Sequence, residues 1–137
     1  MEHAARLLKA CSVGDPDPDP DEDAVGFLLA RRDDPALQLT PECLQIGRWE
    51  GHDAVIMAIS VKPDSGWCSF YSLGVMPACR RHGFAHEAMR RGFELMQRLG
   101  GRDYHYGTAA ENRAALALFD SLGADPERML EQWRLVR

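Results

Sequence analysis

Apolar positions along this chain change period several times, and each change marks an element. The opening stretch MEHAARLLKACSVGD is patterned as an amphipathic helix over about Glu2 to Ser12. A second helix is expected from Glu22 to Arg32, where Val25, Leu28 and Leu29 fall on one face; Asp33, Asp34 and Pro35 end it. Between the two, residues 14–23 alternate proline with like charges, which neither forms a helix nor buries apolar area, so an extended, solvated acidic loop is expected.

From Cys43 the period becomes two. CLQIGRWE and AVIMAISV carry β-branched and apolar residues in short runs separated by Gly51-His52-Asp53, the pattern of paired antiparallel strands. Pro63-Asp64-Ser65-Gly66 is a further turn. WCSFYSLGVM then reads as a third strand, with Gly74 as the place for a bulge.

Helical spacing returns from Gly83 to Leu99, where Ala85, Met89, Phe93, Met96 and Leu99 form an apolar stripe about 25 Å long, stopped by Gly100-Gly101. A short strand near Asp103 to Thr108, a helix from about Glu111 to Ser121 stopped by Gly123, and a last strand over Met129 to Val136 complete the chain. The expected order is α-α-β-β-β-α-β-α-β. It describes an α+β fold of three layers, a mixed but mostly antiparallel sheet flanked by helices, in one domain spanning 1–137.

Composition narrows the function classes. Hydrophobic residues are 45% and charged residues 27% of 137, ordinary globular values, and no apolar run approaches the length that spans a bilayer. Neither a membrane role nor a secretory signal is expected, which points to a cytoplasmic protein. The net charge of −5 is concentrated in Asp15, Asp17, Asp19, Asp21, Glu22 and Asp23. The rest of the chain is nearly neutral and lacks the basic surface that nucleic acid needs. Cys11, Cys43, Cys68 and Cys79 show no C-x-x-C pair, so free thiols are expected rather than a zinc knuckle or disulfide framework.

Chemistry concentrates in VMPACRRHGFAHEAM. Pro77 ends the third strand, and Arg80, Arg81, His82, Gly83 and Ala85 form a short loop opening the next helix. The first turn of a helix leaves N–H groups unpaired and carries about half a positive charge, so an anion gains there. Small residues at 83 and 85 let a bulky pyrophosphate approach the backbone, and two arginines add charge at the rim. Neither the G-x-G-x-x-G nor the G-x-x-x-x-G-K-[ST] pattern is present.

Val75, Pro77, Arg80, Gly83 and Ala85 match V-x-P-x-x-R-x-x-G-x-(G/A). Asn112, Ala115, Leu118 and Gly123 match N-x-x-A-x-x-L-Y-x-x-x-G, with Phe119 in the tyrosine position. In both motifs and in element order, residues from about Leu37 to Val136 resemble the GNAT superfamily of N-acyltransferases. The resemblance implies that acetyl-CoA or another acyl-CoA lies where the third strand and the next one splay apart. Leu73, Gly74 and Val75 would hold the pantetheine arm. Arg80, Arg81, His82, Gly83, Phe84, Ala85 and His86 would hold the pyrophosphate, while Asn112, Ala115 and Phe119 would flank the arm from the other side. An amine of the acceptor would attack the thioester directly, with the protein positioning the reactants and handling protons.

Two proton-handling positions depart from the family pattern. Phe119 lacks the hydroxyl that many members use to protonate the departing thiolate, and Tyr71-Ser72 stand where an acidic base is common. The candidates for proton transfer are Tyr71, His105 and Glu111. These departures leave open a non-catalytic acyl-CoA-binding or regulatory module, or a subunit of a larger assembly. The family's usual first and last strands look trimmed, and exposed edges invite a homodimer. No metal is expected, because His82 and His86 have no third ligand. Cys79 reads as an ordinary loop cysteine. Of Tyr104, His105 and Tyr106, one face could line an acceptor pocket while the other packs; Trp49, Trp67 and Trp133 read as structural.

Overall fold

Two-residue turns with positive φ suit the twist of adjacent antiparallel strands. Glu50 (φ 50°) and Gly51 (φ 81°) make such a turn between β1 (Leu44–Trp49) and β2 (His52–Lys62). The turn thus sits earlier than Gly51-His52-Asp53, and His52 pairs with Trp49 inside the hairpin. The computed structural model of the chain describes residues 2–14, 33, 40–107 and 112–124. The expected helix at 22–32, the strand at 129–136, nearly all of the acidic stretch at 14–23, and Trp133 lie outside the described residues.

β3 (Trp67–Val75) pairs antiparallel with β2, and β4 (Asp103–His105) pairs parallel with β3, giving the sheet order β1-β2-β3-β4. The crossover between β3 and β4 is helix α2 (Phe84–Arg98). Helix α1 (Glu2–Cys11) covers the opposite face, and helix α3 (Arg113–Ser121) follows β4. Among the described residues the fold is a mixed four-stranded sheet flanked by helices, an α+β architecture.

The near-continuous apolar run of β2 follows from its place between two helical layers. Ile56 points to α1, where it clusters with Ala4, Ala5, Leu7 and Cys11. Met57, Ile59 and Val61 point to α2, packing with Ala88, Met89, Leu95 and Met96. Burying each of these large side chains fully is worth about 1.5–3 kcal/mol, so β2 anchors both halves of the core. Helix α2 comes close because position 92 is glycine: a Cβ there would lie 2.3 Å from the Phe70 ring. It ends as expected, with Gly100 at φ 93° and the Gly101 N–H donating to the Met96 carbonyl at 2.8 Å.

The irregularity in β3 is at Tyr71 rather than at Gly74. Ala58 pairs with Ser72 and Ile59 with Phe70, so Tyr71 is the extra residue. One extra residue reverses which face each later side chain takes. Cys68 and Phe70 therefore join the core under α2, Tyr71 turns to the α1 side, and Leu73 returns to the α2 side. Gly74 has a different task. A Cβ on it would sit 2.6 Å from the Cys11 Cβ, so glycine is what lets the end of α1 rest on the strand.

Candidate functional site

β3 and β4 stay together for only three pairs, Trp67 with Asp103, Cys68 with Tyr104 and Ser69 with His105. The bulge at Tyr71 follows at once, and beyond it the strands separate. The gap is a cleft of about 270 Å³. Its β3 wall is Phe70, Tyr71, Ser72, Leu73 and Gly74; its other wall is Tyr106, Gly107, Asn112, Ala115, Leu118 and Phe119. Leu8, Cys11 and Ser12 close it from α1, and Met89 lies at its base. Among the described residues no strand pairs with β3 along this side past Ser69, so its backbone edge can receive an extended ligand as a further strand.

The expected residues Tyr71, Leu73, Gly74, Asn112, Ala115 and Phe119 all meet here. Asn112 also has a local reason for its position. Its Oδ1 accepts a hydrogen bond from the Ala115 backbone N–H at 3.1 Å, capping α3 and giving asparagine a reason at this position.

Val75 leads out of the cleft into the loop that opens α2. Pro77–Cys79 form a single 3-10 turn, then Arg81 (φ 65°) and Gly83 (φ 76°) adopt left-handed backbone. The first bond of α2 runs from the Glu87 N–H to the Gly83 carbonyl at 3.1 Å. The N–H groups of Phe84, Ala85 and His86 therefore lack acceptors within the helix. No side chain caps them, and the space where Gly83 would carry a Cβ is open to 4 Å.

The two arginines are not equivalent. Arg80 was expected as mobile charge at the rim, but its Nη2 donates to the carbonyls of Cys11 at 2.9 Å and Val13 at 2.7 Å, and its Nε to that of Val75 at 3.4 Å. It caps the C-terminal end of α1, where carbonyls and helix dipole both favour a cation. What position 80 presents to the loop is its backbone. Arg81 is exposed and, among the described residues, has no hydrogen-bond or ion-pair partner.

His82 is held by the carbonyls of Cys79 (3.2 Å) and Arg80 (2.9 Å) through Nδ1. Its ring stacks on Phe84 with centroids 5.7 Å apart and tilts against Trp49 at 4.7 Å. Trp49 thus shares the rim of the loop, a role its place at the end of a strand did not signal. His86 is exposed, and among the described residues no group of three side chains could hold a metal. Nor is any described helix long and apolar enough to cross a membrane.

His105 is not among the residues lining the cleft. Its Nε2 lies 2.9 Å from Asp103 Oδ2 and its ring stacks on Trp67 at 6.0 Å. Glu111 lies outside the described residues. The aromatic trio divides by parity: Tyr104 and Tyr106 both contact Phe93, at 5.4 and 6.0 Å, while His105 takes the other face. Tyr106 enters the cleft, and burial pushes its phenol above the ordinary tyrosine range. The alternation of the trio was the available signal for Tyr106, but which face met the cleft was not in it. Cys11, at the α1 side, is raised to about 11, first by burial; the Arg80 charge opposes the shift and the neighbouring Cys79 adds to it.

The sequence model described as the acetyltransferase (GNAT) family matches residues 10–124. No curated protein matches the sequence significantly. Several solved structures share the fold. The aminoglycoside N-acetyltransferase AAC(6')-Iy in complex with CoA superposes with a TM-score of 0.71 at 18% identity, covering 98% of this chain and 87% of that one. An aminoglycoside acetyltransferase from an uncultured soil metagenomic sample, in complex with sisomicin, gives 0.70 at 13% identity, with 99% and 88% covered. The aminoglycoside 6'-N-acetyltransferase AAC(6')-IG from Acinetobacter haemolyticus gives 0.61 at 14% identity, with 85% of each chain covered.

Proposed function

Because the chain belongs to the GNAT family of acetyltransferases, we propose that it transfers an acetyl group from acetyl-CoA directly to an amine of a small molecule or peptide. The observation that carries this reading is the continuity of the cleft with the start of α2. A splayed strand edge from Phe70 to Gly74 leads through Val75 to three N–H groups lacking helical acceptors. That sequence of features suits a ligand with an extended amide-bearing arm at one end and a pyrophosphate at the other.

In this reading the edge at Leu73, Gly74 and Val75 pairs with the pantetheine amides, and Asn112 and Ala115 flank the arm from α3. The N–H groups of Phe84, Ala85 and His86 hold the pyrophosphate, with Arg81 adding charge from solvent. Gly83 keeps the approach open, and His82 with Trp49 forms the outer rim. The sulfur end lies at the deep part of the cleft near Phe119 and Tyr106. Attack by the amine is then favoured by position, since a held thioester and amine react as one unit rather than as two solutes.

Relatives of this fold carry CoA or aminoglycosides in their solved complexes, so aminoglycosides are the first acceptors to try. Calorimetric titration with acetyl-CoA, beside CoA and dephospho-CoA, tests the cofactor half. Saturable binding is expected, weakened several-fold by Arg81→Glu. Absence of heat up to millimolar acetyl-CoA would overturn the proposal. Release of CoA thiol on adding sisomicin, spermidine or a peptide with a free amino terminus tests the acceptor half.

A further inference from the structure

Phe119 leaves the sulfur end of the cleft without the hydroxyl that resemblance to the family leads one to expect, yet a phenol stands beside it. Tyr106 lines the same wall of the cleft, and its ring meets that of Phe119 edge to face with centroids 4.6 Å apart. Phe93 and Phe70 hold the Tyr106 ring from further sides at 6.0 and 6.1 Å, both near edge-on. Three aromatic neighbours fix the ring, and the hydroxyl is its polar part.

We propose that the Tyr106 hydroxyl protonates the CoA sulfur as the thioester breaks, acting from the end of β4 in place of the hydroxyl absent at Phe119. This rests on the acetyl-transfer reading above. The other hydroxyls of the cleft fit the task less well. Ser12 Oγ donates to the Leu8 carbonyl at 2.9 Å, and Tyr71 packs against the α1 cluster. Ser72 is a serine, far less acidic than a phenol. Tyr106 makes no hydrogen bond among the described residues, so its proton is available to a ligand. A phenol carries its proton at neutral pH, and burial shifts Tyr106 further in that direction.

The step balances without a co-reactant. The amine lone pair forms a bond to the thioester carbonyl carbon. The tetrahedral adduct collapses, the C–S bond breaks with its electron pair on sulfur, and the Tyr106 proton passes to that sulfur. The proton lost by the former amine returns to the phenolate through solvent. Amine and acetyl-CoA become acetamide and CoA thiol, with Tyr106 restored.

The test uses the full chain and three variants, Tyr106→Phe, Phe119→Tyr and the double replacement, with CoA release from acetyl-CoA and calorimetric CoA binding as paired readouts. Tyr106→Phe should lower kcat about 100-fold, the lower end of what a positioned acid contributes, and leave CoA affinity within about twofold. Phe119→Tyr in that background should recover at least about tenfold, because it restores a phenol on the same wall. A kcat for Tyr106→Phe within about threefold of the parent chain overturns the inference. So does a joint fall of kcat and CoA affinity without rescue, which would make Tyr106 a packing residue. A parent chain that binds CoA but acetylates none of sisomicin, spermidine or a peptide amine sinks the acetyl-transfer reading, and this inference with it.

Discussion

Replacing Arg80 with alanine removes donors to the Cys11 and Val13 carbonyls, at 2.9 and 2.7 Å, that hold the end of α1 against the end of β3. Hydrogen bonds from a charged donor are worth about 1.5–3 kcal/mol when well enclosed, and this guanidinium is partly solvated, so a loss of about 1–2 kcal/mol is expected in urea unfolding. The same change at Arg81 should leave stability within about 0.5 kcal/mol, since its side chain is exposed and makes no hydrogen bond or ion pair among the described residues. It should instead weaken CoA binding about fivefold, equivalent to about 1 kcal/mol. Equal effects of the two replacements on both measurements would contradict this division. Of the two adjacent arginines, Arg80 holds the end of α1 through backbone carbonyls, while Arg81 stays exposed.

Helix α3 is a short element with no fully buried residue, and it forms one wall of the cleft. Short helices depend on their caps, because nucleation is unfavourable and packing supplies little here. Asn112→Ala removes the acceptor for the Ala115 N–H and should cost about 1 kcal/mol in thermal or denaturant unfolding. The loosened wall should also bind CoA less tightly. Asn112→Asp keeps an oxygen at the cap and should retain stability. If the asparagine amide also donates to the pantetheine arm, the aspartate variant will still lose CoA affinity. The pair of variants therefore separates capping from ligand contact.

Across the whole molecule, each face of the sheet buries a thiol whose ionisation opposes the fold. Burial raises Cys11, under α1, and Cys68, in the core under α2, from 9.0 to about 11; the Asp103 charge adds to the rise at Cys68. Between about 9 and 11 the unfolded chain releases these protons while the folded chain keeps them. The unfolded state then binds fewer protons, so stability falls as pH rises through that window and is fully present below it. Tyr106 shifts in the same direction and reinforces the trend. Denaturant midpoints at pH 7, 9 and 10.5 should be level over the first interval and drop over the second, with a smaller drop in Cys68→Ala. A level profile to pH 10.5 would contradict burial of these groups.

Local chemistry in the sequence was enough to place much of this molecule. Period-two runs marked β1 to β3, the 3.6-residue stripe marked α2, and Gly100-Gly101 marked its end, because each depends on residues close in the chain. The starts of α2 after Gly83 and of α3 near Glu111 were legible for the same reason, whereas the capping bond from Asn112 Oδ1 emerged only from the structure. Other features arise only when distant segments meet. The bulge fell at Tyr71 rather than Gly74 because register is settled between β2 and β3, and Gly74 is instead shaped by Cys11 of α1. Arg80 left the rim because its carbonyl partners lie 67 and 69 residues away. Tyr106 lines the cleft and His105 does not because successive residues take opposite faces, and only packing on Phe93 and Phe119 decides which face the cleft sees. Periodicity and turn chemistry specify an element and its faces; what a face confronts depends on every other element that packs against it.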